Sequence, residues 1–309
     1  MPITETQREN RVKHIGSSDV AAILGLSPKR NAYDVWLEKT GKVEPEDLSG
    51  KDYIQDGNLF EDGVLKFVEN ELGPIIRNQY RSNPRLHLGV HIDAILRDCN
   101  VPIEVKVTGV HGPIPPYDRG KWGEEGTDNV PDRHIVQCHA HMLAMNGGEP
   151  EVCHLGAFIG GCGKRLYLIR RSKDLCSLIS EVCPNFWDNH VLKDIPPANL
   201  VPNLEVIRRA KRQPNKTIVM APDLWDALEE AKSKVKAAEK KKNLAESALL
   251  TALGDADAAD LGDGRTMTYF EQTRNGIDTK AMRKAHPEIA KDFATTSAYR
   301  VLRVKKGGV

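Results

Sequence analysis

Leu88–Leu96, LGVHIDAIL, and Val101–Lys106, VPIEVK, decide the fold. The first run alternates apolar and polar residues fairly well. A turn follows at Asp98–Asn100, and Ile103–Val107 returns as IEVKV. The pattern predicts two antiparallel strands joined by a turn. Residues two apart in a strand share a face, so Glu104 and Lys106 stand together, and pairing of the strands would bring Asp93 to them.

Such a group is either decoration on a wet sheet face or a cation site. Magnesium takes oxygen ligands and keeps waters in its shell. Asp93 and Glu104 can supply oxygens, and the backbone carbonyl of Val105 can join them if the strand edge is open. Lys106 would orient a water and stabilise developing negative charge beside a phosphate. Glu61, on a preceding helix, would complete the acidic side. Close carboxylates raise one another's pKa, and a divalent ion relieves that cost. Spacing alone leaves both readings open.

Outward from this pair, GNLFEDGVLKFVENELG (residues 57–73) reads as a helix with Leu59, Phe60, Val64, Phe67, Val68 and Leu72 along one side. HIGSSDVAAILGL starts another, with Ser17 or Ser18 as its cap, and NAYDVWLEKTG a third, stopped by Gly41. Residues 47–55 read as a loop. IIRNQYRS opens the strand region. Residues 109–131 are rich in Gly and Pro and form a long loop, a feature often tied to function. DRHIVQCHAHMLAMNG reads as a helix with Ile135, Cys138, Met142 and Met145 inward. VCHLGAFIGG and KRLYLIRR read as paired strands, and LCSLISEVCPNFWDNHV as a helix.

The Pro-rich LKDIPPANLVPN marks a boundary between a core of residues 1–195 and an extension of residues 196–309. In the extension, Pro222 suits a helix start. Leu224, Leu228, Ala231, Val235, Ala238, Ala245 and Leu249 keep three-to-four spacing up to a stop near Leu253, which predicts a helical arm or hairpin packing on something. RTMTYFEQTR and YRVLRVKKG read as short strands. DTKAMRKAHPEIAKDF reads as a helix broken at Pro287.

Composition narrows the class. The chain has 309 residues, 40% hydrophobic and 28% charged, which fits a soluble globular protein. With 44 basic and 43 acidic residues the net charge is +1, which neither favours nor excludes nucleic acid. No apolar run approaches the ~18 residues of a membrane span, and the N-terminus lacks a secretory core, so a cytoplasmic protein is expected. The six cysteines form no CxxC and read as free thiols, mostly in or near the core. His139 and His141 lie two apart on a helix and do not share a face, so structural or substrate-side roles are expected for them and for His134, and zinc is not.

Several stretches together resemble the YqaJ-type viral recombinase exonucleases, related to phage lambda exonuclease within the PD-(D/E)xK superfamily. They are IGSSDVAAILGLSP, YDVWLEKTG, GNLFEDGV, LGVHIDAIL, IEVKV, VPDRHIVQCHAHM, IGG with RLYLIRR, and FWDNHV, in family order across most of residues 11–190. The closing segment from Thr268 resembles some phage members more loosely. The resemblance implies an α+β, restriction-endonuclease-like core with a mixed central sheet flanked by helices. It implies Mg²⁺-dependent hydrolysis of linear double-stranded DNA from the 5′ end, with Mn²⁺ able to substitute.

By the same resemblance, Asp93 and Glu104 bind metal, Lys106 is the motif lysine, Glu61 the helix acid acting directly or through water, and Gln137 the glutamine after the sheet. Arg11 and Ser18 match residues that receive a terminal 5′-phosphate, although Ser18 could only cap its helix and Arg11 could be a solvated charge. Lys121 and Trp122 of the long loop would touch DNA, with Trp122 stacking on a base or simply anchoring its loop. The family pattern has PDG where this chain has Ile92-Asp93-Ala94. The lost Pro and Gly shape a turn and are not ligands. Homo-oligomers, including ring-shaped trimers, and single-strand annealing partners are also implied. The competing expectations are a noncatalytic DNA-end-binding or assembly protein and a restriction-like endonuclease.

Overall fold

The computed structural model describes residues 11–44, 46, 52–110, 112–145, 150–273 and 275–295. The chain divides into two compact units, one running to Lys216 and the other starting at Thr217. The Pro-rich stretch at 196–202 therefore lies within the first unit, where the segment after it pairs back through a bridge between Val43 and Ala210.

The first unit opens with α1 (Ser17–Ile23), α2 (Ala32–Lys39) and α3 (Asp52–Leu72). Five strands follow in spatial order: β1 (Ile75–Asn83), β2 (Leu88–Leu96), β3 (Pro102–Thr108), β4 (Val152–Ile159) and β5 (Gly163–Arg170). Neighbours are antiparallel except β3 and β4, which run parallel. A parallel step needs a long crossover. Here it is the Gly/Pro-rich loop and α4 (Asp132–Ala144), before α5 (Lys173–Phe186) and α6 (Leu204–Arg208) close the unit. The sheet is mixed and helix-flanked, as the resemblance implied.

Alternation along β3 sorts the layers. Ile103 and Val105 face α3, packing with Val64, Leu65 and Val68. Gly156 on β4 permits this approach, since a Cβ there would lie 2.7 Å from Val68 Cγ2. Glu104 and Lys106 point to the other face, where α4 lies. Cys138 and Met142 of α4 pack on Cys153, Leu155, Ala157 and Tyr167 of β4 and β5. The far side of α4, Val136 and Ala140, meets a helical layer containing Val20, Val35, Trp36, Ile179 and Phe186.

Three local expectations are corrected. The N-cap of α1 is Gly16, not Ser17 or Ser18, and the Gly16 amide donates to Asp19 Oδ2 at 2.9 Å. Helix α3 begins at Asp52, inside the stretch read as loop. Leu59 is 72% exposed, while Leu65, absent from the expected stripe, is buried. The cysteines are free, with Cys138, Cys153, Cys176 and Cys183 buried and Cys99 and Cys162 exposed.

The second unit holds α7 (Asp223–Leu253), capped by Pro222, an antiparallel pair of β6 (Ala258–Asp260) and β7 (Thr266–Thr268), and α8 (Thr279–Ala285) and α9 (Pro287–Asp292). The break expected at Pro287 is present. The strand expected over RTMTYFEQTR is confined to β7, and the one expected at YRVLRVKKG lies outside the described residues. Among the described residues, no helix is long and apolar enough to cross a membrane.

Candidate active site

The β2–β3 ladder is short. Ala94 pairs with Ile103 and Ile95 with Pro102. Asp93 and Glu104 come next on the two strands, and there the ladder opens. The Val105 amide, instead of bonding to β2 backbone, donates to Asp93 Oδ2 at 2.7 Å. N–H and C=O of one strand residue point the same way, so the Val105 carbonyl also faces this gap. Pairing of β2 with β1 skips Asn78 opposite Asp93, and Asn78 takes φ +54°. The regular β1–β2 pairing is thus interrupted opposite Asp93.

Glu104 is the best-buried charged group of the site, 1% exposed. Its Oε1 accepts from Lys106 Nζ and, at 2.7 Å, from Gln137 Nε2. Among the described residues its Oε2 has no hydrogen-bond partner, and it lies 3.4 Å from His141 Nδ1. His134, Gln137 and His141 follow one another at helical spacing along the face of α4 turned to β3. Burial, and then Lys106, hold the His141 imidazole down to about 3, so it is neutral. His139 points elsewhere: its Nδ1 donates to the Ile135 carbonyl at 2.8 Å and its Nε2 accepts from the Ser172 amide at 2.9 Å.

The electrostatics describe an anionic site short of positive charge. Burial, reinforced by the Glu104 carboxylate, pushes Asp93 up to about 7. Burial also raises Glu104, against the pull of Lys106. Glu61 on α3 is raised by burial and by Asp93, which places it within electrostatic reach of the pair. Lys106 is raised by Glu104 and Asp93 despite its burial, so it is an ammonium at neutral pH and acts as a donor.

Hard oxygen donors with raised pKa values, one of them unpaired in a buried setting, fit a divalent cation. Among the described residues, no three acidic, histidine or cysteine side chains form a ligating group. The oxygens that could serve a cation here are the Asp93 and Glu104 carboxylates and the Val105 carbonyl, with Glu61 near enough to feel the charge of Asp93. Magnesium tolerates so few protein ligands because it retains water.

The remaining candidates divide. Arg11 is exposed. Its carbonyl accepts from Lys39 Nζ, and its charge, after burial, lowers the pKa of His91, two residues before Asp93 on β2. Ser18 is exposed on the first turn of α1. Lys121 is exposed in the long loop, whereas the Trp122 ring packs against His134 (centroids 5.6 Å apart) and Tyr167 (5.8 Å). The same loop is tied down by Asp118, buried and paired bidentately with Arg133.

Sequence reasoning missed His141 as a neighbour of Glu104, although its four-residue offset from Gln137 was a usable signal. It also missed Asp19, which pairs with Lys39 at 2.6 Å and Arg30 at 3.0 Å. Although burial opposes ionisation, these two cations hold Asp19 well below the usual carboxylate range.

Residues 8–147 match the YqaJ-like viral recombinase domain. The uncharacterized protein YqaJ of Bacillus subtilis (strain 168) is 24% identical over 306 residues, covering 96% of this chain and 92% of that protein. Among solved structures, an alkaline exonuclease (LHK-Exo) from Laribacter hongkongensis is similar at a TM-score of 0.45 and 15% identity, over 62% of this chain and 94% of that one. A phage related exonuclease from Haemophilus somnus 129PT is similar at 0.39 and 14%, over 60% and 99%. The span 8–147 contains Glu61, Asp93, Glu104, Lys106, Gln137 and His141, so the candidate site lies within the stretch that matches the YqaJ-like viral recombinase domain.

Proposed function

We propose that this chain is a Mg²⁺-dependent exodeoxyribonuclease that resects linear double-stranded DNA ends 5′ to 3′, leaving 3′ single-stranded tails for phage recombination, with Mn²⁺ able to replace Mg²⁺. One observation carries the reading. Where β2 and β3 part, Asp93 and Glu104 lie side by side with an ammonium, Lys106, and one buried carboxylate oxygen without a partner.

A bound divalent ion would activate water and stabilise charge on the scissile phosphate. The chain's own residues do the rest. Asp93, Glu104 and the Val105 carbonyl would hold the cation. Gln137 fixes the Glu104 carboxylate through Oε1, leaving Oε2 for the cation. Lys106, a donor only, hydrogen-bonds the attacking water or the phosphate oxygen and offsets developing negative charge. Glu61 orients water from the α3 side. Arg11, beside His91 on the strand that carries Asp93, and Ser18 would receive the 5′-phosphate, and Lys121 would contact backbone phosphate. The reading carries with it a cytoplasmic homo-oligomer and hand-over of the tail to a single-strand annealing protein.

The test uses linear duplex labelled at the 5′ or 3′ end and a matched covalently closed circle, each with Mg²⁺ or EDTA, beside the Asp93→Ala protein. Release of nucleotides from 5′ ends of the linear form only, absent with EDTA and in D93A, is expected. Cutting of the closed circle would replace the reading with an endonuclease. Binding of ends without hydrolysis in Mg²⁺ or Mn²⁺ would replace it with a noncatalytic end-binding protein.

A further inference from the structure

Helix α7 is 31 residues long and buries none of them. Among the described residues, no other element of its own unit packs substantially on it. Isolated helices in water are marginal, and helices in proteins gain most of their stability from packing one face. Yet α7 has such a face. Leu224, Leu228, Ala231, Val235, Ala238, Lys242, Ala245, Leu249 and Ala252 alternate steps of four and three over its whole length. Leu224, Val235 and Leu249 on this stripe are 64%, 59% and 47% exposed. A seven-residue repeat sustained over four heptads is a coiled-coil seam.

The register assigns Leu228, Val235, Lys242 and Leu249 to a positions, and Leu224, Ala231, Ala238, Ala245 and Ala252 to d. The flanking positions then discriminate between partners. The g positions carry Lys234 and Lys241, and the e positions five residues on carry Glu239 and Glu246. In a parallel, in-register pair of identical helices, each g residue meets the e residue of the next heptad on the other helix. Both charged contacts are then Lys to Glu, Lys234 with Glu239 and Lys241 with Glu246, repeated on both sides. In an antiparallel pair g faces g, which sets lysine against lysine. Charges at e and g set partner and orientation. Alanine at four of five d positions lets the helices approach closely. Lys242, the single polar a residue, costs stability and fixes the register.

From this we infer that α7 forms a parallel, in-register coiled coil with α7 of a second copy of this chain. The partner surface is the a/d stripe from Leu224 to Ala252, and the specificity lies in the Lys–Glu contacts. The inference does not depend on the nuclease reading.

The experiment is cross-linking in the full chain, on a Cys99→Ser/Cys162→Ser background that removes the exposed thiols. Ala231→Cys and Ala245→Cys sit at d and should each form a homodimeric disulfide under mild oxidation, because d residues of parallel helices face one another within disulfide reach. Ser247→Cys, at an outward f position, should not. A mixture of a size-tagged A231C chain with a Lys242→Cys chain should give no mixed disulfide. Reversal of the lysines, K234E/K241E, should lower the A231C disulfide yield roughly tenfold at low salt. Mixing that variant with an E239K/E246K chain should restore it as the mixed species. A mixed disulfide between A231C and Lys242→Cys chains, in which d meets a of an antiparallel partner, would show antiparallel pairing and overturn the inference. So would the lack of any d-position disulfide, or yields indifferent to the charge reversal.

Discussion

The backbone amide of Val105 donates to Asp93 Oδ2 across 2.7 Å, at the point where β2 and β3 stop pairing with each other. A side chain thus takes the place of a ladder partner, and the strand edge stays satisfied while it opens. Removal of the Asp93 carboxylate should affect both roles. Asp93→Ala is expected to lower DNA hydrolysis by about 10³-fold or more, several kcal/mol of transition-state stabilisation. Asp93→Asn, which keeps an acceptor for the Val105 amide, should lose comparable activity with less effect on stability. Single-turnover rates and urea melts of the two variants check this.

The raised Asp93 pKa sets a pH dependence of opposite sign to that of an ordinary salt-bridged acid. The folded state holds its proton up to about 7, whereas the unfolded state releases it near 3.8. Between those values the native state binds more protons, so this group lowers stability as pH rises from about 4 to 7. Without divalent ions the melting temperature should decline across that window relative to D93N. Mg²⁺ should flatten the decline, because it binds the ionised native site. Calorimetry of both proteins with EDTA and with Mg²⁺ measures it.

Gln137 holds Glu104 Oε1 at 2.7 Å and would act on the proposed metal site through that carboxylate. Groups that orient a ligand commonly cost ~10–100-fold in metal affinity or activity when removed. Gln137→Ala should fall in that range, with a rightward shift of the Mg²⁺ titration. A loss that saturating Mg²⁺ does not relieve would assign Gln137 to the substrate instead.

Asp19 is a different kind of acid, one that stabilises the fold. Lys39, its side chain 4% exposed, would be left without this carboxylate in Asp19→Ala. Breaking a buried pair by removing one partner costs about 3–5 kcal/mol. The double variant D19A/K39M should recover part of it. A double-mutant cycle by chemical denaturation gives the coupling.

Two neighbours in the long loop should behave oppositely. Trp122→Ala removes a ring from a cluster with His134 and Tyr167 and should cost about 2–3 kcal/mol of stability. Lys121→Ala should leave stability within about 0.5 kcal/mol and reduce the salt dependence of DNA binding by about one counterion. Melting curves and salt titrations separate the two effects.

The parts of the site legible in the sequence are those governed by short-range rules. Glu104 and Lys106 share a face because strand side chains repeat every two residues, and the length of α7 follows from its uninterrupted helical spacing, whereas its exposure does not. Gln137 was recovered from motif order, but the contact of His141 with Glu104 depends on how α4 is rotated over β3, which local pattern does not specify. The Asp19–Lys39–Arg30 group joins α1 to α2 and the segment before it, so its members look like ordinary surface charges until those elements pack. Leu59 fits an apolar stripe equally well and lies exposed, because tertiary packing chose Leu65.

The crossover between β3 and α4 begins where Gly160 lies against Gly109, so closely that a side chain at 160 would overlap the Gly109 carbonyl, and where the Gly160 amide donates to the Thr108 carbonyl at 2.8 Å. Farther along, Asp118, Trp122 and Gly123 are each fastened to α4 or to a neighbouring strand or turn. Stitched at several points along its course, this segment is a rim and not a flap. Even the exposed stretch around Gly126 is bonded to β5, through the Gly126 amide on the Leu166 carbonyl and the Leu168 amide on the Thr127 carbonyl, so insertion there should cost stability as well.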